Sequence, residues 1–381
     1  MKAFTSLKIG VLGGGQLGKM LLQAAMDLNI NLHILDPDKE APCSQLTPFF
    51  TQGALQDYTT VVAFGKDLDV LTIEIEKVNT DALKHLQSKG VKVYPQPDII
   101  SMIQDKRLQK QYYKENGFPT SDFVLLDTPE DITKYAHFLP AFQKSARDGY
   151  DGRGVQKINS VSDIAHALPG AGLLEKAVAI KKEIAVTVSK NIEGVTSAFP
   201  PVELVYHEGQ NLVDYLISPA EISSELAEKA KDLALALVNS LGFVGLLAVE
   251  MFIDQDDNVL INEIAPRPHN SGHQTIEANI TSQYQQHLRA ILNLPSGDTA
   301  IVTQAAMVNL LGEPGFEGEA HYQGIEKILS TSGVHVHLYG KKITKPFRKM
   351  GHVTITGSSR EELIAKVDLV KNNCKVVSLK S

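Results

Sequence analysis

Two apolar runs, residues 245–253 and 259–264, flank a five-residue polar break, Asp254-Gln255-Asp256-Asp257-Asn258, and each run carries one glutamate in a hydrophobic setting. Runs of that length around a short polar break predict a β-hairpin. With the turn centred between Asp256 and Asp257, Phe252 falls opposite Ile261, Met251 opposite Asn262, and Glu250 opposite Glu263. Cross-strand partners have Cβ atoms about 4.5 to 5.5 Å apart, so two carboxylates would face each other among apolar neighbours. Repulsion and desolvation both disfavour such a pair until a cation lies between them. Magnesium takes few carboxylates and completes its shell with phosphate oxygens, so the expectation is a metal site finished by a nucleotide. The alternatives are a solvated hairpin with one carboxyl pKa raised, or a register slipped by one residue that separates the side chains.

The second run leads directly into Ala265-Pro266-Arg267-Pro268-His269-Asn270-Ser271-Gly272-His273. Arg267 can hold an oxyanion or phosphoryl oxygen in its planar fork, and either His269 or His273 can donate or carry a proton near neutral pH. The competing reading is a polar loop that caps the following helix.

Upstream, short apolar runs at 8–12, 31–35, 69–75 and 91–94 alternate with helical stretches, the first over 17–28, as a parallel α/β layer requires. Gly13-Gly14-Gly15-Gln16-Leu17-Gly18 joins the first strand to that helix, which places backbone amides and a helix N-terminus around a phosphate. A dinucleotide fingerprint fits these glycines, with Asp36 near the ribose-reading position. A Walker loop does not, because Met20 follows Lys19 where Ser or Thr must ligate magnesium. The plainest alternative is that the glycines only permit a tight turn.

From about residue 103 the pattern changes to a charged helix at 105–116, a break at Pro119, and two strand-like runs at 141–145 and 155–158 around a glycine cluster, read as a hairpin with a polar tip. From 173 onward strands dominate, interrupted by one amphipathic helix over 223–241 with Ser223 as cap and Gly242 as stop. A chain of 381 residues with 43% hydrophobic content can bury two or three such units. Its net charge of -7 argues against nucleic acid as a partner, since phosphate neutralisation needs a basic face. Cys43 and Cys374 are too few for a disulfide framework, and no run reaches the roughly 18 apolar residues of a membrane span, so a cytoplasmic protein is expected.

GGGQLGKM, TIEIE at 72–76, Lys144, GYDGRG at 149–154, NEIAPRPHNSGH and the late YGK and RKMGH segments together resemble the ATP-grasp superfamily, and within it the N5-carboxyaminoimidazole ribonucleotide synthetases. The resemblance spans nearly the whole chain. It implies an ATP-grasp fold of α/β and α+β class, with a Rossmann-like phosphate domain over 1–103, a lid over 104–172 and a mixed or antiparallel catalytic domain over 173–381. It further implies ATP and magnesium, aminoimidazole ribonucleotide and bicarbonate as small-molecule partners, and a homodimer.

By the same resemblance Lys106 and Lys144 meet the ATP phosphates under a loop of Gly149, Tyr150, Asp151, Gly152, Arg153 and Gly154. Glu175, Lys176, Ala177 and Val178 form the adenine hinge, Glu183 meets the ribose with His207 nearby, and Asn262 joins the ATP contacts. Glu250 and Glu263 hold magnesium. The ribonucleotide falls to Gly15, Gln16, Leu17, Arg348 and Lys349 at its phosphate and to Glu76, Tyr150, Asp151 and Arg153 elsewhere, with Arg267, His273 and Lys341 at the reacting end. One departure is Asp148, where the family commonly carries glycine, and an acid there weakens the local attraction for phosphate unless it points to solvent or pairs with Arg147. Rival readings are a formate-dependent glycinamide ribonucleotide transformylase, an NAD-dependent dehydrogenase resting on Gly13, Gly15, Gly18 and Asp36, and a non-catalytic ATP-binding protein.

Overall fold

In the computed structural model, which describes residues 3–147, 149, 154–206 and 213–379, the alternating runs of the first hundred residues form a parallel sheet. Its elements are β1 (Ile9–Leu12), α1 (Gln16–Met26), β2 (Leu32–Asp36), β3 (Phe50–Gln52), α2 (Tyr58–Gly65), β4 (Val70–Ile73), α3 (Thr80–Ser88) and β5 (Lys92–Val93), with strand order β3-β2-β1-β4-β5. All four pairings are parallel. In β1 and β4 every residue is buried, as expected of strands covered on both faces by crossover helices. The carboxyl ends of β1, β2 and β4 therefore open on one edge, where the glycine loop lies.

After α4 (Pro97–Ile103), helix α5 (Lys106–Glu115) begins at Asp105, whose side chain accepts from the Arg107 amide. A small four-stranded antiparallel sheet follows, of β6 (Phe123–Leu126), β7 (Ala141–Ser145), β8 (Val155–Ile158) and β9 (Gly172–Lys176), ordered β6-β9-β7-β8. The expected 141–158 hairpin is β7 and β8; β6 and β9 were not anticipated, and β9 carries this sheet past residue 172. Asp148, Tyr150, Asp151, Gly152, Arg153 and His207 lie outside the described residues. Arg147 pairs with Asp105, its Nε 3.5 Å from Oδ2.

The largest sheet is antiparallel throughout. It contains β10 (Ile180–Lys190), β11 (Thr196–Ala198), β12 (Val202–Tyr206), β13 (Val213–Ser218), β14 (Gly245–Asp254) and β15 (Val259–Ala265), with α6 (Ser224–Ser240) between β13 and β14. After α7 (Thr275–Ala278) and α8 (Gln283–Ile291) come β16 (Gln304–Leu311), β17 (Gly318–Gln323), α9 (Ile325–Leu329), β18 (Val334–Leu338), β19 (Ile343–Thr344), β20 (Lys349–Gly357), α10 (Arg360–Asn373) and β21 (Lys375–Ser378). Strand order is β15-β14-β10-β12-β13-β16-β20-β18, with β11 on β10, while β19, β17 and β21 form a separate small sheet. Helices α8 and α10 correct the expectation of a single helix beyond residue 173.

Two cores fasten these units together. Tyr284, Leu288 and Ile291 of α8, with Tyr339, pack among β1 and α1 residues such as Ile9, Leu21 and Ala25. Ile103 and Tyr113 join the core between α6 and the β10-β14-β15 face. Among the described residues no helix is long and apolar enough to cross a membrane.

Candidate active site

The β14–β15 hairpin brings Glu250 opposite Glu263, as counted from the sequence, but by a different path. Near the turn the pairs are Ile253 with Val259, Phe252 with Leu260 and Met251 with Ile261, one residue off the expected register. A β-bulge at Asn262 takes up the difference before Glu250 and Glu263 meet. The pairings of Phe252 with Ile261 and Met251 with Asn262 are thereby corrected, and Asn262 and Glu263 line the same small cavity.

Three lysines converge on that cavity. Lys106, the first residue of α5, pairs with Glu263, and its backbone amide donates to Ala146 O at 2.8 Å, tying the helix start to the end of β7. Lys144 of β7 donates to Asn262 Oδ1 at 2.9 Å and lies 2.6 Å from Glu175 Oε2. Lys110, one turn along α5 from Lys106, donates at 2.5 Å to both Glu175 Oε1 and Thr120 Oγ1, and Thr120 Oγ1 in turn donates to Ile261 O on β15. Glu175 is 3% exposed; burial would raise its carboxyl, but Lys144 and Lys110 bring it down to about 2. Burial pushes Lys110 down to about 8 against the pull of Glu175. Lys110, Lys144 and Glu175 thus form a buried network with strong mutual attraction, and the Lys106–Glu263 pair at its edge is partly open to solvent.

Glu250 is the strained member. Burial, then the facing Glu263 carboxylate and Glu183, push its carboxyl up, while Lys106 and Lys349 act weakly the other way. Glu263 moves the opposite way, because Lys106 holds it well below the usual carboxylate range. Glu183, on β10, is pushed up to about 7 by burial, against a hydrogen bond from Tyr206 and the charge of Lys144. Among the described residues no cluster of three or more His, Cys, Asp or Glu side chains could cage a metal by itself. Two opposed carboxylates fit a magnesium ion whose other ligands are water and nucleotide phosphate. Lys176 ends β9, and Ala177 and Val178 lead from it to β10, so the hinge segment connects the small sheet to the large one. Gly154, at φ +74°, passes so close to Gly149 that a Cβ there would meet Gly149 Cα at 3.1 Å.

The other half of the site lies at the glycine loop. Gly14 N donates to Asp36 Oδ2 at 2.7 Å, Gly15 N to Glu74 Oε1 at 2.8 Å and Gly18 N to Glu74 Oε2 at 2.7 Å. The expectation that Gly15 offers its amide to a phosphate is corrected, since Glu74 takes it. Gln16 and Leu17 form the first turn of α1, where backbone amides have no carbonyl four residues back to bond. Asp36 Oδ1 also accepts from Asp38 N at 2.8 Å, so this carboxylate is turned into the loop and is not presented to a ribose. That removes the main support for a dinucleotide reading.

Arg267 Nε lies 2.8 Å from Glu76 Oε1, which joins the segment after β15 to the end of β4. Lys341 Nζ donates to Lys349 O at 2.8 Å and sits over the Tyr339 ring, and Lys19 Nζ donates to Leu338 O at 2.7 Å. The C-terminal segment is thereby brought against the glycine-loop helix. Arg348 donates to Ile343 O at 2.6 Å. The field of Lys349 acts on both Glu250 and His273.

His273 is corrected as a proton carrier near neutral pH. It is 1% exposed, its Nδ1 is 3.0 Å from the Tyr284 hydroxyl, and its ring stacks 4.6 Å from His352, which in turn stacks 4.4 Å from His337. Burial first, then the nearby charges of His269 and Lys349, hold its pKa well below the ordinary value. His269, half-buried with Nδ1 3.8 Å from Glu250 Oε1, faces the acid pair instead. Lys110 and Glu74 were not foreseen. A lysine one helical turn after Lys106, and a glutamate two residues before Glu76 at a strand end, are the signals that could have found them.

Known proteins place these features in order along the chain. Residues 6–104 match the ribonucleotide synthetase preATP-grasp domain, 111–284 the ATP-grasp domain and 305–366 the phosphoribosylaminoimidazole carboxylase C-terminal domain. The chain is similar to the N5-carboxyaminoimidazole ribonucleotide synthase of Bacillus subtilis, 33% identical over 94% of both chains. It is also similar to the phosphoribosylaminoimidazole carboxylase of Ogataea methanolica, 37% identical over 98% of this chain and 71% of that one. The chain spans about two thirds of the length of the fungal and plant relatives of that name. Among solved structures, the N5-carboxyaminoimidazole ribonucleotide synthetase of Thermotoga maritima superposes with a TM-score of 0.91 at 38% identity, covering 98% of this chain and 100% of that one. The Aspergillus clavatus N5-carboxyaminoimidazole synthase in complex with ADP and 5-aminoimidazole ribonucleotide does so with 0.89 at 34%, covering 97% and 99%.

Proposed function

The chain belongs to the N5-carboxyaminoimidazole ribonucleotide synthase family of ATP-grasp ligases, and on that premise we propose that it uses ATP to join bicarbonate to the amine of 5-aminoimidazole ribonucleotide, releasing ADP and phosphate. The observation that carries the reading is Glu250 opposite Glu263 within reach of Lys106 and Lys144. Bicarbonate oxygen attacks the γ-phosphate to give carboxyphosphate. The ribonucleotide amine then takes the carboxyl group, or the carbon dioxide it releases, and phosphate departs with the bridging oxygen. Phosphate leaving in that step can accept the amine proton.

The parts proposed for the residues are supported by the family resemblance and by their positions. Lys106 and Lys144 neutralise charge on the transferred phosphoryl group in a site largely shielded from water, where such interactions are strong. Glu250 and Glu263 would hold magnesium, which would supply Lewis-acid stabilisation of that same charge. Lys110 keeps Glu175 ionised, and Glu175 keeps Lys144 in line. Arg267, oriented by Glu76, holds bicarbonate. The amides of Gln16 and Leu17, with Arg348, Lys349 and Lys341, take the ribonucleotide and its phosphate. By the family resemblance, the segment from Gly149 to Gly154 serves to keep water from the labile intermediate. The proposal extends to a cytoplasmic homodimer, supported by the family resemblance.

The test is phosphate release from ATP with each reactant omitted in turn. Turnover should require both the ribonucleotide and bicarbonate, and formate should not replace bicarbonate. Turnover with formate alone would favour the transformylase reading.

A further inference from the structure

The glycines of the N-terminal loop are required by a side chain of the protein itself. Glu74 follows β4 directly, and its amide donates to Leu12 O at 2.9 Å, which seats it under the loop as β1 ends. A Cβ at Gly13 would meet Glu74 Cγ at 2.4 Å, and one at Gly15 would meet Glu74 Oε1 at 2.7 Å. Both approaches are closer than carbon or oxygen tolerates, so a side chain at either position would displace Glu74, and Gly13 at φ +104° also has backbone that favours glycine. The carboxylate then receives the amides of Gly15 and Gly18, while Asp36 receives that of Gly14. Three of the amides that a phosphate loop would offer are therefore directed inward. Burial pushes the Glu74 carboxyl up to about 7, against the amides of Gly18 and Gly15 and the charge of Arg267.

We propose that Glu74 is a positioning residue for the ribonucleotide: without touching substrate, it clamps the glycine loop so that the amides of Gln16 and Leu17, and not those of the glycines, face the substrate phosphate. The inference rests on the function proposed above. A carboxylate that accepts two amides makes charge-assisted hydrogen bonds and fixes the curvature of the turn. A helix N-terminus held in this way presents its first free amides along the axis, where a phosphate is best stabilised. The negative charge of Glu74 opposes the phosphate, so the clamp makes its contribution through geometry and against electrostatics.

That opposition gives the test its sign. In Glu74→Gln one oxygen still accepts an amide, but the new NH2 faces the second amide and breaks that bond. The KM for the ribonucleotide should rise by about tenfold or more, the scale of losing one hydrogen bond to a charged group. The KM for ATP and kcat should stay within about twofold. Glu74→Asp keeps the charge but shortens the reach, and should raise the ribonucleotide KM as well. An unchanged or lower ribonucleotide KM in Glu74→Gln would overturn the clamp. As a measurement that needs no variant, 15N-labelled wild-type protein is titrated with the ribonucleotide. The amides of Gln16 and Leu17 should shift most; largest shifts at Gly15 and Gly18 would overturn the proposal. If the wild type shows no ribonucleotide-dependent turnover, the proposed function fails first, and that outcome is separate from either result above.

Discussion

Glu250 and Glu263 face each other with unequal neighbours, and this asymmetry sets what each residue contributes. Lys106 compensates Glu263, whereas Glu250 has burial and two acids against it and only weak opposition from Lys106 and Lys349. The native pKa of Glu250 lies above its unfolded value, so its ionised form costs stability: stability is full below the unfolded pKa and declines as pH rises through the native one. Glu250→Gln removes that cost together with one metal ligand. The variant should unfold at the same or a higher temperature than wild type, while magnesium-dependent ATP turnover falls by about a hundredfold, the scale of removing one preorganised electrostatic group. Thermal melts and turnover measured on the same preparation check both halves. A lower melting temperature with activity retained would mean that Glu250 is a structural residue.

At the scale of elements, the bulge at Asn262 does the aiming. A regular ladder from the turn would place Glu250 opposite Asn262; the extra residue brings Glu263 opposite Glu250 and leaves Asn262 as the acceptor for Lys144. Deleting Asn262 should leave the hairpin faces in register, since Met251 with Ile261 and Glu250 with Glu263 would become successive pairs. The deletion should fold, and its KM for ATP should rise by about tenfold through the lost contact to a charged lysine. An unchanged KM would show that Lys144 does not depend on Asn262. The hairpin, α6 with its Ser223 cap, and α5 between Asp105 and Asn116 were legible because their signals are local: apolar periodicity, a capping side chain, a polar turn. The bulge was not, because one extra residue changes neither composition nor period. Strands β6 and β9 were missed because each is completed by a partner distant in sequence. Helix α10 was missed because Leu363, Val367 and Val370 are its only buried side chains, set among charged neighbours.

Over the whole molecule, the two half-sites come from opposite ends of the chain. Lys19 of α1 reaches Leu338, a contact across 319 positions, and Arg267 reaches Glu76. The motifs were readable one by one, and their order matched a family. Their meeting in space depends on Tyr284, Leu288, Ile291 and Tyr339 packing into the first core, which no single motif encodes. What those contacts create is a junction between the glycine-loop domain and the segment after β15, where Arg267 meets Glu76. The direct measurement is the fate of oxygen in a reaction with [18O]bicarbonate, ATP and 5-aminoimidazole ribonucleotide. If bicarbonate oxygen attacks the γ-phosphate, the released phosphate carries one 18O atom. Phosphate that leaves with no label, while the ribonucleotide is carboxylated, would contradict the account.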